Sequence, residues 1–195
     1  MTLRCIATDQ VAAQVWRNGG GHTRELLAWP SADAWSLRVS VADIDADGPF
    51  SVFPDTARWF AVVEGAGVML SFGSFEHRVV RGSAPLRFAG AEAPGCRLID
   101  GPTRDLNLMY RGGEGTMLAV EPQATWNDPF AMRGLYAATA GRWSAEGESR
   151  DLEAGTLLWC DAAGTAPAPW RFTPRTPATT ASAWWLGFTP ASNSP

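Results

Sequence analysis

"WSLRVSVAD", residues 35–43, is the stretch on which the fold turns. Trp35, Leu37, Val39 and Val41 alternate with Ser36, Arg38, Ser40 and Ala42, the period of two that sends successive side chains to opposite faces of a β-strand. The same texture recurs on both sides of it. "RWFAVVEG" (58–65) is a nearly continuous apolar run and "GVMLSFG" (67–73) follows at once, so Gly65-Ala66-Gly67 reads as a hairpin turn. "CRLIDG" (96–101) and "RDLNLMY" (104–110) are further short strands set apart by Gly101-Pro102. "TMLAVE" (116–121), "GLYAATA" (134–140), "TLLWCD" (156–161) and "WWLGF" (184–188) continue the series. Glycine and proline interrupt the chain about every ten residues, the rhythm of an all-β sandwich or barrel. No long amphipathic helix is visible; at most a short helical turn follows "DPFAM", near residues 129–132.

Composition sets the outer bounds. The 195 residues are 46% hydrophobic and 18% charged, which is globular and not disordered. A net charge of −4 without any basic cluster speaks against a nucleic-acid surface. All 16 basic side chains are arginine, so there is no lysine for a Schiff base or for a phosphate loop. Cys5, Cys96 and Cys160 are too few and too scattered for a disulfide framework. The start, "MTLRCIATDQ", lacks the apolar core of a signal peptide, and no apolar run reaches membrane-spanning length. A cytoplasmic protein with no membrane partner is the expectation.

Two halves are discernible. Trp59 to Phe88 reads as hairpin, loop and "APLRFAG"; Tyr136 to Trp159 reads as strand, Gly-rich turn, strand and "LEAGTLLW". Spacing alone fits either two half-length β-barrels or two unrelated β-segments equally well. Residues 1–188 are expected as one compact unit, with halves of roughly 1–115 and 116–188, and 189–195 as a frayed tail.

Three motifs carry the chemical reading. "WRNGGGHTRE" (16–25) satisfies neither the phosphate-loop nor the dinucleotide pattern. Its glycines suit a turn, or a chain passing close to a ligand, with Asn18, Thr23 and Arg24 as donors. "DIDADGPFSVFPDTAR" (43–58) alternates Asp43, Asp45 and Asp47, but a calcium loop needs a glutamate where Pro54 stands. Arg58 at its end offers a planar guanidinium for a carboxylate. "GPTRDLNLMYR" (101–111) puts Asp105, Asn107 and Met109 on one strand face. In a small barrel that face points into the lumen, where Arg38 and Ser40 could meet it as a polar binding site. His22 and His77 lack metal-ligand spacing, so no metal and no cofactor are expected. No nucleophile motif appears, and no catalytic residue is assigned.

In order and spacing, "WRNGGGHTRE", "WSLRVSVADIDADGPFSVFPDTAR" and "GPTRDLNLMYR" resemble the signature stretches of the HutD/Ves family, closely over residues 14–111. The resemblance implies a bicupin, two cupin-like β-barrels in one chain without the usual metal histidines. It implies association with bacterial histidine utilisation and binding of urocanate or N-formylglutamate in a regulatory or flux-moderating role. It brings no established activity, and it gathers Asn18, Thr23, Arg24, Arg38, Ser40, Arg58, Asp105 and Asn107 around one pocket. Two places depart from the family pattern: "FPDTAR" replaces a Gly-containing turn, and His22 replaces a smaller polar residue. The alternatives are an enzyme using Asp105 as a base on a small carboxylate, and a protein-interaction module with no ligand. An exposed sheet edge would also allow a homodimer.

Overall fold

The computed structural model describes residues 2–161, 168–177 and 180–192. The chain runs β1 (Leu3–Ala7), β2 (Gln14–Val15), β3 (Gly21–Trp29), β4 (Leu37–Ile44), β5 (Gly48–Pro49), β6 (Ala57–Glu64), β7 (Val68–Phe72), β8 (Phe75–Val79), β9 (Leu86–Ala89), β10 (Gly95–Leu98) and β11 (Thr103–Tyr110). It continues β12 (Gly113–Ala119), β13 (Thr125–Trp126), β14 (Met132–Ala137), β15 (Gly141–Ala145), β16 (Glu148–Leu152), β17 (Thr156–Cys160), β18 (Trp170–Pro174) and β19 (Ala183–Pro190). Among the described residues the helices are two single 3-10 turns, Thr8–Gln10 and Gly90–Glu92. Neither lies at 129–132. There the Ala131 amide donates to Thr189 Oγ1 at 3.0 Å and the chain enters β14 extended.

Two compact units divide the chain: Val11–Gly112, and Gly113–Pro195 joined by Met1–Gln10. The first unit is a six-stranded sheet, β2-β3-β4-β11-β6-β9, and a four-stranded sheet, β5-β10-β7-β8. Ile44, Phe60, Val62, Val68, Leu70, Val79 and Cys96 from both sheets close its core. The second unit has a five-stranded sheet, β12-β19-β14-β17-β1, and a four-stranded sheet, β13-β18-β15-β16. Its core is built on Trp126, Trp143, Trp170, Trp185 and Phe172. β1 pairs antiparallel with β17, Leu3 opposite Cys160, so the first ten residues belong with the second unit and not with the N-terminal half. The last strand runs through Pro190, paired with Gly113, and so takes in the first two residues of the expected frayed tail. Residues 193–195 of that tail lie outside the described residues.

The strand orders expose a repeat. β4-β11-β6-β9 corresponds to β12-β19-β14-β17, and β5-β10-β7-β8 to β13-β18-β15-β16. Eight strands therefore recur one for one in chain order, each set an eight-stranded double sheet of jelly-roll type. β2 and β3 extend the first copy beyond β4, while β1 extends the second beyond β17.

The Gly65-Ala66-Gly67 turn does not make a hairpin. β6 pairs with β9 and β11, whereas β7 pairs with β8 and β10, so the turn carries the chain from one sheet to the other. Both glycines have positive φ, +85° and +101°, and a Cβ at Gly65 would lie 2.5 Å from Pro102 O. That geometry needs glycine on conformational and steric grounds together.

Candidate functional site

Register across the central strands of the first unit stacks its inward residues in rungs. Arg38, Met109 and Arg58 form one, Ser40, Asn107 and Phe60 the next, and Ala42, Asp105 and Val62 the third. The barrel is thus apolar at one end and polar at the other. At the polar end Arg58, only 8% exposed, lies 4.3 Å over the Phe50 ring and is flanked by Phe60 and Phe88 at 5.8 and 5.5 Å. Burial pulls its pKa down to about 10, partly offset by Asp105, so it remains a cation at neutral pH. Arg58 Nε donates to Asn107 Oδ1 at 2.7 Å, and Asn107 Nδ2 donates in turn to Asp105 Oδ1. These two bonds fix the amide: flipping it would break both. The terminal amino groups of Arg58 have no acceptor among the described residues and line the cleft. Arg38 Nε sits 2.7 Å from Glu25 Oε2.

The glycine run builds the mouth. Trp16 N donates to Gly21 O at 2.9 Å and Gly19 N to Trp16 O at 3.0 Å, closing a tight turn between β2 and β3. Gly19 takes a positive φ of +69°, and a Cβ at Gly21 would sit 2.2 Å from Asp43 O. The glycines therefore let the hairpin lie against β4, and Trp16, Arg17 and Asn18 are carried to the rim. Trp16 Nε1 donates to Thr23 Oγ1 at 2.8 Å, pinning the indole there.

The result is an open cleft of about 700 Å³, lined by Trp16, Arg17, Asn18, Thr23, Arg38, Ser40, Arg58, Asn107, Met109 and residues 49–53. Three arginines face it and no carboxylate does. Such a lining suits an anion with an apolar body and does not suit a metal cation. Among the described residues no three His, Cys, Asp or Glu side chains come together to hold a metal ion.

Six of the eight sequence-chosen residues meet here: Asn18, Thr23, Arg38, Ser40, Arg58 and Asn107. Two do not. Arg24 is next to Thr23 in an extended strand, so it faces the other way. Its Nη1 donates to Asp43 Oδ2 at 2.8 Å. Asp43 also accepts from Arg104 Nε at 2.6 Å and sits 2.8 Å from His22 Nε2. Burial raises the Asp43 pKa, but Arg104, Arg24 and His22 outweigh it and hold the carboxyl below its usual range. His22, one departure from the family pattern, therefore belongs to this ion-pair cluster and not to the cleft. Asp105, 1% exposed, lies behind Asn107 and does not line the cleft. Its Oδ2 has no hydrogen-bond partner, and burial drives its pKa up to about 7 against the pull of Arg58 and Asn107. The sequence reading missed Arg17. Its one signal was its place in "VWRNGGG", where the hairpin swings it to the mouth.

In the second unit the position that matches Arg58 is filled. Its matching rungs are Thr116, Gly187 and Arg133, then Leu118, Trp185 and Leu135. Arg133 stands where Arg58 does, but it is 0% exposed. It donates to Ala168 O at 2.8 Å and Trp126 O at 2.5 Å, between the Trp126 and Trp170 rings at 4.4 and 4.6 Å. Trp185 replaces Asn107 and stacks on Trp126 at 5.4 Å. The Phe130 ring fills the space over Gly187, where a Cβ would lie 2.3 Å away.

The HutD family model matches residues 8–176. Protein Ves of Cronobacter sakazakii is 30% identical over 136 residues, 69% of this chain and 75% of that protein. An uncharacterized 21.2 kDa protein in the hutC 3′ region of Pseudomonas putida is 34% identical over 110 residues, 55% of this chain and 58% of that one. The solved structure of HutD from Pseudomonas fluorescens SBW25 superposes with a TM-score of 0.81 at 24% identity, covering 96% of this chain and 98% of that one. A variant of the oxalate decarboxylase of Bacillus subtilis has a TM-score of 0.58 at 10% identity, covering 98% of this chain and 78% of that one. That likeness concerns the fold alone, which is a bicupin.

Proposed function

The chain belongs to the HutD family, and from that premise we propose that its first unit is a carboxylate-binding module serving histidine utilisation in the cytoplasm. The observation that carries the reading is the acid-free lining of the cleft, with Arg38 and buried Arg58 on one rung and exposed Arg17 at the rim. Arg58 takes one carboxylate on its two free amino groups, and Asn107 holds the guanidinium in place. Trp16, Phe50 and Phe53 enclose the apolar part of the ligand. Of the two candidate ligands, N-formylglutamate matches the charge of the lining better than urocanate, because its two carboxylates can occupy a deep and an outer arginine. The role is to hold a pathway acid and so moderate its free level. The position of Asp105 behind Asn107 argues against its acting as a base on the ligand.

Titration calorimetry with N-formylglutamate and urocanate, while following both for conversion, tests the reading. Each charge-assisted hydrogen bond contributes about 1.5–3 kcal/mol, so Arg58→Met should weaken binding by about ten- to a hundredfold. It keeps an apolar stem among the three phenylalanines. Unchanged affinity in that variant would refute the assignment, and conversion of either compound would make the protein an enzyme.

A further inference from the structure

We propose that Asp105, which a ligand in the cleft does not touch, is a positioning residue that couples anion binding at Arg58 to uptake of one proton. The inference rests on the carboxylate-binding reading and names how that site is regulated.

The geometry is a three-member relay running away from the cleft: Arg58 Nε to Asn107 Oδ1, then Asn107 Nδ2 to Asp105 Oδ1. At its far end Asp105 Oδ2 is buried with nothing to accept from, a costly place for negative charge. The ionised form is sustained by one buried cation, Arg58, and by the Asn107 amide. The other groups around it do not help. Asp43 on β4 opposes its ionisation. The Cys96 thiol on β10 is itself pushed up to about 12 by burial and by Asp105. Arg38, two rungs away on β4, is engaged by Glu25.

A carboxylate docking on the amino groups of Arg58 brings a second negative charge to the same guanidinium. The two anions then compete for one cation, and the one that can be neutralised is Asp105. Its proton goes to the carboxyl while Oδ1 keeps accepting from Asn107, so the relay and the aim of Arg58 are preserved. The free carboxyl already titrates at about 7, so a further rise on binding falls within reach of ordinary conditions. The direction follows: binding raises an already raised pKa, protons are taken up, and affinity declines as pH rises through and above 7. Each unit by which the ligand raises that pKa adds a decline of up to about tenfold.

The test is titration calorimetry of N-formylglutamate, whose own carboxylates stay ionised, from pH 6 to 9. Wild type and Asp105→Asn are compared, with wild type repeated at pH 7.5 in two buffers of different ionisation heat. Wild-type affinity should fall up to about tenfold across the range, with buffer-dependent heat reporting proton uptake. Asp105→Asn, a permanently neutral group that still accepts from Asn107, should give a flat profile at the wild-type low-pH affinity. A flat wild-type profile without buffer-dependent heat overturns the coupling while leaving the binding reading intact. A slope that survives in Asp105→Asn also overturns it. Absence of binding at every pH overturns both. The buffer comparison needs only the wild-type protein, so it decides even if the variant does not fold.

Discussion

Asp105→Asn should also change the dependence of stability on pH, with no ligand present. In the unfolded chain this carboxyl loses its proton near the ordinary value of 3.8, whereas in the fold burial holds the proton to about 7. Between those values the native state carries a proton that the unfolded state lacks. Stability therefore falls as pH rises through this window, the opposite of a salt-bridged aspartate, and the penalty is complete above pH 7. At about 1.4 kcal/mol per unit, roughly 2 units of the window lie between pH 5 and 8, which corresponds to about 2–3 kcal/mol. The asparagine does not titrate. Its new amide group points where Oδ2 had no partner, at a cost of about 1–3 kcal/mol that is the same at every pH. Relative to wild type, the variant should thus run from destabilised or neutral at pH 5 to neutral or stabilised at pH 8. Urea unfolding of both proteins at pH 5, 6.5 and 8 measures the difference. A gap between variant and wild type that stays constant within about 0.5 kcal/mol over that range would refute the assignment of a buried, proton-holding carboxyl.

Other substitutions probe the remaining geometry. Arg24→Ala should leave carboxylate affinity within about twofold and cost at most about 1 kcal/mol of stability, since it removes one partly exposed ion pair with Asp43. A loss comparable to that of Arg58→Met would mean that Arg24 reaches the cleft after all. Gly65→Ala should destabilise by more than about 2 kcal/mol, through the left-handed backbone and the clash with Pro102 O. Thermal melting should register this as a drop of at least about 4 °C, and a shift below about 2 °C would contradict the sheet-switching turn.

How much of this was legible in the sequence depended on what alternation can report. In "WSLRVSVAD" and "RDLNLMY" it showed which residues share a face, and Arg38, Ser40, Asp105 and Asn107 do point into one barrel. It could not report depth along that face, so Asp105 was grouped with Asn107 although only Asn107 reaches the cleft. Taking Thr23 and Arg24 together as donors conflicted with the same rule, because neighbours in a strand cannot share a face. Alternation is also silent about which sheet the next strand joins. Gly65-Ala66-Gly67 has the composition of a hairpin turn, and only the close approach to Pro102 and Val79 reveals a crossing between sheets. The pairing of β1 with β17 links residues about 150 positions apart, a separation that no local pattern encodes. Arg17 lay outside any strand periodicity and was placed by the shape of a turn.

The strand-for-strand repeat also bears on valency. A chain with two matching open barrels could take up two ligands, and the first could influence the second. Here the position matching Arg58 is sealed by Trp126, Trp170 and two main-chain carbonyls. On the proposed function, uptake through this cleft is one ligand per chain and hyperbolic. Any steeper response to ligand concentration would have to arise between chains.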